Sequence, residues 1–290
     1  MRFITFRSAI AQGLAVISGE NDAYGLLKHD PNYPGDLFAL LSQGPDALRN
    51  AHERLLSGPR IDLREVQFLP PIQRPGKIIC VGLNYRDHAA EGGFEIPGYP
   101  TIFARFSSSL TGHNTPLVCP KVSDELDYEG ELVAVIGKRS RHTSRENALA
   151  HIAGYSIFND GSVRDYQFKT SQWTMGKNFD RTGAFGPVFV SADELPPGAK
   201  GLGLETRLNG VLVQSASTDD MVFDVAALVS ILSEAITLEP GDIIVTGTPS
   251  GVGVARNPKL FMKPGDVCEV KIDKIGTLTN HVVAEEGGDQ

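Results

Sequence analysis

Cysteine is scarce in this chain: Cys80, Cys119 and Cys268 are the 3 among 290 residues. An odd number, widely spaced and without a Cys-x-x-Cys pair, excludes a disulfide framework and a thiolate metal site, so reduced thiols in a cytoplasmic protein are expected. Positive charge is also short. Lys and Arg number 27 against 35 Asp and Glu, for a net charge of -8 and a pI near 5.4. No basic field is available to hold phosphates, so nucleic acid is not an expected partner. Nor does the N-terminus offer an uninterrupted apolar run. Met1 to Ser18 is broken by Arg2, Arg7 and Gln12, so neither a signal peptide nor a membrane span is expected there. What the chain does have is core material. With 41% hydrophobic and 21% charged residues, one large domain, or one large and one small, is expected.

Residues 1–72 read as a small N-terminal α/β domain. Strand signals lie near Arg2 to Arg7, Leu14 to Ile17 and Tyr24 to Lys28, with helical segments from Asp36 and Pro45. Pro70-Pro71-Ile72-Gln73-Arg74-Pro75 then favours an extended linker. From 73 to 290 the texture is β-rich, punctuated by Gly and Pro turns, which suggests an α+β fold built on a mixed β-roll or flattened β-barrel. Lys77 to Val81 is a strand candidate. Asn209-Gly210 between two β-type runs predicts a two-residue hairpin. Val222, Val225, Val229, Leu232 and Ile236 recur at helical steps, predicting a helix from Met221 to Leu238 that Pro240-Gly241 stops. Pro-Gly-Asp at 240–242 and 264–266 precedes a strand candidate each time.

The chemistry centres on Ser123 to Gly137. If Glu125 to Ile136 is one strand, Glu125, Asp127, Glu129 and Glu131 share a face. Four like charges leading into the apolar run Leu132 to Ile136 need something positive among them, and a divalent cation is the simplest answer; a solvated acidic strand end is the other. Asp160, at the end of Tyr155 to Phe158 and its Asn-Asp-Gly turn, is placed to join Glu129 and Glu131, and an all-oxygen set suits Mg²⁺ or Mn²⁺. His88 and Glu91 stand at i and i+3. They fit a carboxylate-oriented base for water, a pair of metal ligands, or a surface contact. Lys177 between Gly176 and Asn178 fits a clamp on a substrate oxygen. Arg164, with its forked guanidinium, fits a substrate carboxylate. Thr246 to Gly253 lacks the ending of a phosphate loop; it reads as a tight loop presenting the Thr248 hydroxyl and free backbone N–H groups to an anionic oxygen.

As a set these stretches resemble the fumarylacetoacetate hydrolase family, in its acylpyruvase or diketo-acid hydrolase type. They are Gly82 to Glu91, Asp127 to Gly137, Asn159-Asp160 with Arg164 to Gln167, Gly176 to Asp180, and Thr246 to Gly253, spread over about residues 75–285 in the family's order. The resemblance implies a β-rich catalytic domain, a homodimer, and one Mg²⁺ or Mn²⁺ per subunit on Glu129, Glu131 and Asp160. It implies a His88 and Glu91 dyad activating water, with Lys177 as a further catalytic group. Tyr85, Arg164, Gln167 and Thr248 would contact a small 2-oxo or 2,4-dioxo acid. Arg105 stands where many relatives carry lysine, which shifts the expected contact with the substrate's distal group. The implied reaction is metal-dependent hydrolysis of a C–C bond in an acylpyruvate-type acid, releasing pyruvate or a related 2-oxo acid. The same apparatus fits decarboxylation of oxaloacetate or another β-keto acid, or isomerisation of an unsaturated oxo-diacid.

Overall fold

The computed structural model describes residues 1–19, 22–87 and 98–286; the predicted dyad of His88 and Glu91 lies outside them. At its centre is the strand Gly130–Ile136, buried at every position. Its run of Leu, Val, Ala and Ile without polar alternation is what a strand covered on both faces requires. It pairs antiparallel with Ile152–Asp160 on one side and with Ile243–Val245 on the other, and the latter runs parallel to Ile78–Gly82. Side-chain parity then sorts the core into two halves. Val133, Val135, Phe158 and Phe189 pack under the helices Leu37–Gln43 and Pro45–Leu56, which contribute Leu37, Leu40, Leu41, Leu48 and Leu55. Leu132, Ala134, Ile136 and Ile157 pack on the opposite side. There a second sheet, which includes Gly203–Leu208, Val267–Ile272 and Gly276–Ala284, and the helix Val225–Ala235 close the core.

The architecture is α+β and β-rich, and among the described strands no barrel closes. The large sheet ends at two edges, Arg60–Ile61 and Thr101–Arg105. The N-terminal strands Arg2–Arg7, Gln12–Ser18 and Asp22–Leu27 are not a separate sheet, because the Phe3 to Phe189 register joins them to Gly183–Ser191. Pro70, Pro71, Ile72 and Pro75 of the proline-rich segment are buried while Arg74 is exposed, and its start is tied to the first strand: Leu69 donates its N–H to Thr5 O at 2.9 Å, and Thr5 Oγ1 donates to Pro71 O at 2.9 Å. We keep 1–72 and 73–290 as proposed units that share one sheet.

Three local expectations meet the structure differently. Asn209 and Gly210 turn at φ 52° and 78° between Gly203–Leu208 and Val211–Ser217, as the hairpin requires. The predicted helix is shorter, Val225–Ala235, because Asp224 caps it by accepting the Ala227 N–H at 2.9 Å. The strand predicted from Glu125 to Ile136 is broken. Leu126–Asp127 pairs with Ser162–Val163, while the Glu129 and Gly130 N–H groups go to the side chains Asn159 Oδ1 and Gln214 Oε1 at 3.0 and 2.9 Å. Side-chain amides replace the ladder there, and Asp127 parts company with Glu129 and Glu131.

Candidate active site

The break and the ladder beyond it build the site. Gly130 lies opposite Asn159, so Asp160 sits across from Glu129 and gives its N–H to Glu129 O at 2.8 Å. Glu129, Glu131 and Asp160 each offer a carboxylate oxygen, all within 4.8 Å of one another. All three residues are buried. Lys177, ending the short helix Thr174–Lys177, places Nζ 2.6 Å from Glu129 Oε2 and 2.7 Å from Asp160 Oδ2. Arg164 reaches Glu129 Oε1 at 2.7 Å and Asp127 Oδ2 at 2.8 Å. Arg105 binds Asp160 Oδ1, Gly161 O and Thr182 Oγ1.

Charge decides what the cluster can hold. Four buried carboxylates, Asp127, Glu129, Glu131 and Asp160, face three buried cations, Arg105, Arg164 and Lys177, which leaves one negative charge over. Glu131 is the one with no ion pair among the described residues; it accepts the Gly247 N–H. Burial, then Asp160 and Glu129, push its pKa well above the carboxylate range. Desolvation works against the Lys177 ammonium, but Asp160 and Glu129 outweigh it and hold its pKa above the usual lysine value. Arg164 follows the same logic, with Asp127 and Glu129 more than offsetting burial. Hard oxygen donors in a dry pocket, one of them without a cationic partner among the described residues, fit a divalent cation such as Mg²⁺ or Mn²⁺.

A cavity of about 350 Å³ opens onto this cluster, lined by Glu129, Glu131, Arg164, Gln167, Lys177 and Thr248 on its polar side. These expected residues therefore converge. Arg105 does not line this cavity. Its side chain is fully buried and bonded to Asp160 and its neighbours. Tyr85 is also buried and not among the lining residues, bridged through its backbone to Met221, with no hydrogen-bond partner for its hydroxyl among the described residues. Some of the loop N–H groups expected to be free are taken. Gly247 serves Glu131, while Gly253 and Val254 serve Asp127 at 2.7 and 2.9 Å. Thr248 Oγ1 donates to Gly130 O and accepts from Gln214 Nε2. Asp127 is thus the anchor of the glycine-rich loop, since a bent loop presents successive N–H groups to one anion.

Sequence reasoning missed the apolar wall: Phe103, Phe168, Trp173, Val252, Val254 and Ala255. The lone tryptophan was its available signal. Trp173 lies edge-on to Phe103 at 5.5 Å and over Gly82, where an added Cβ would come within 2.4 Å of the indole. Gly82→Ala is therefore expected to displace Trp173. As the only tryptophan in the chain, it should report this as a red-shifted emission; an unchanged spectrum would contradict the packing.

Comparison with known proteins agrees with this geometry. The fumarylacetoacetate (FAA) hydrolase C-terminal family matches residues 77–283. The oxaloacetate tautomerase fahd2, mitochondrial, of Xenopus laevis is 40% identical over 98% of this chain and 90% of its own length. A fumarylacetoacetate hydrolase structure from psychrophilic Exiguobacterium antarcticum superposes with a TM-score of 0.85 at 36% identity, over 98% of this chain and 100% of that one. Maleylpyruvate hydrolase from Sphingobium sp. SYK-6, in complex with manganese(II) and pyruvate, gives 0.81 at 30% identity, over 99% and 100%. The Xenopus name corrects the cytoplasmic expectation, for that relative is a mitochondrial enzyme. The carboxylate cluster, its buried cations and the sheet that carries them are those of a chain that belongs to the fumarylacetoacetate hydrolase family.

Proposed function

We propose that this protein is a keto–enol tautomerase of a small 2-oxo acid of the oxaloacetate type, working with a divalent cation on Glu129, Glu131 and Asp160. The observation that carries this reading is the 40% identity to an enzyme named oxaloacetate tautomerase along 98% of the chain. The site is chemically sufficient for it, because tautomerisation moves one proton between C3 and the C2 oxygen and needs no attacking water. A divalent cation, when bound, supplies Lewis acidity toward the 2-oxo oxygen and by repulsion lowers the proton affinity of Lys177. Lys177 delivers a proton to C3 of the enol and takes one back from the C2 hydroxyl. In the cation-free protein Glu129 and Asp160 hold its Nζ at the cluster. Gln167, held by Arg164 Nη1 at 2.8 Å, and Thr248 line the remaining polar wall. Arg164 holds Glu129 in place, and Arg105 does the same for Asp160. His88 and Glu91 would complete a hydrolytic dyad.

The test is the decay of enol-oxaloacetate absorbance. Addition of the protein with Mg²⁺ should accelerate it and chelation should abolish the effect; a rate equal to that in buffer refutes the reading. C–C bond hydrolysis is the second reading, favoured by the maleylpyruvate hydrolase likeness. Release of pyruvate from a 2,4-dioxo acid would establish it, and CO₂ from oxaloacetate would mark a decarboxylase. We further propose a homodimer, which light scattering decides.

A further inference from the structure

The polar side of the cavity accounts for the head of a 2-oxo acid, whereas the apolar side has no partner in an oxaloacetate-type substrate. Arg164 and Lys177 are the only cationic side chains lining the cavity among the described residues, and both are bound to the carboxylate cluster. A distal carboxylate lying along Phe103, Trp173 and Val254 would be desolvated without a cation to pair with it among the described residues. The wall is firmly built. The Phe103 face carries Lys177 Nζ at 4.8 Å and its ring meets Trp173 at 5.5 Å, so one residue links the ionic head site to the apolar wall. A cavity of about 350 Å³ falls in the range of sites for ligands larger than a four-carbon diacid.

We propose that this site also takes 2-oxo monocarboxylic acids whose tail is neutral and apolar, an aryl or branched alkyl group, and prefers them to diacids of the same length. The proposal rests on the reading that a 2-oxo acid head binds at the carboxylate cluster. It names the tail that the opposite wall recognises.

Trp173, the chain's only tryptophan, lines the cavity, so binding is readable without turnover. The full-length protein with Mg²⁺ would be titrated with 2-oxo-4-phenylbutanoate and with 2-oxoglutarate, which share a head and spacer and differ only in a phenyl or carboxylate end. The phenyl acid should bind about tenfold more tightly or better, as burial of one ring implies. In Ala255→Lys, a cation placed at an exposed position of the wall, the preference should shrink or reverse. Equal affinities, a preference for 2-oxoglutarate, no fluorescence response to either acid, or an unchanged ratio in Ala255→Lys would each overturn the proposal. Enol-oxaloacetate decay on the same preparation tests the reaction separately. Tight phenyl-acid binding without tautomerase activity refutes the reaction and leaves the tail site standing; activity with diacid-preferred binding does the opposite.

Discussion

With glutamine at both 129 and 131 the protein is expected to lose divalent-cation binding, and its tautomerase rate should fall by about 10²- to 10⁴-fold, the range that several kcal/mol of Lewis-acid stabilisation represents. The two single variants separate binding from folding. Glu131 pairs with no cation among the described residues and carries a proton affinity raised by burial, Asp160 and Glu129. Burial already disfavours the charged form of Glu131, so Glu131→Gln breaks no ion pair among the described residues, and stability in cation-free buffer should hold or rise while cation affinity is lost. Glu129 is different, since Arg164 and Lys177 both lean on it at 2.7 and 2.6 Å. Glu129→Gln should lower stability as well as affinity. Calorimetric titration with Mg²⁺ and Mn²⁺, alongside thermal melts without either ion, reads both effects. Binding unchanged in the double variant would remove these residues from the account.

Arg105→Met should destabilise the fold by about 3–5 kcal/mol, the usual consequence of removing one partner of a buried ion pair. Both side chains of the Arg105 and Asp160 pair are fully buried, and methionine supplies none of the bonds to Asp160, Gly161, Thr182 or Ser109. Lysine at this position should recover only part of the loss, because an ammonium lacks the fork that meets these acceptors together. Urea unfolding measures it. A change under about 1 kcal/mol would mean that Arg105 is not a buried partner of Asp160.

Much of this site was legible because strand parity and short motifs are local. Glu129, Glu131 and Asp160 follow from side-chain alternation and one strand end. The hairpin at Asn209-Gly210 follows from turn conformations that few other residues adopt. What escaped depends on contacts between distant segments. Asp127 looked like a fourth member of an acidic row, yet Asn159 and Gln214 intercept the ladder beside it and leave it to cap the loop at Gly253 and Val254. Arg105 resembled a substrate contact because its role is set by Asp160 and Thr182, far along the chain. Of the two architectures expected, β-roll or flattened barrel, a closed barrel is not formed among the described strands. Edge pairing is settled by which strands meet, and the N-terminal strands extend the sheet through Phe3 and Phe189 where closure would have needed them elsewhere.

The most direct test is a crystal structure of the protein soaked in Mn²⁺, with data collected at the manganese edge. The account predicts one anomalous peak within bonding reach of Glu129, Glu131 and Asp160, with the Lys177 ammonium withdrawn from between the first and last of these. No peak there, with Lys177 still bridging Glu129 and Asp160, would contradict it.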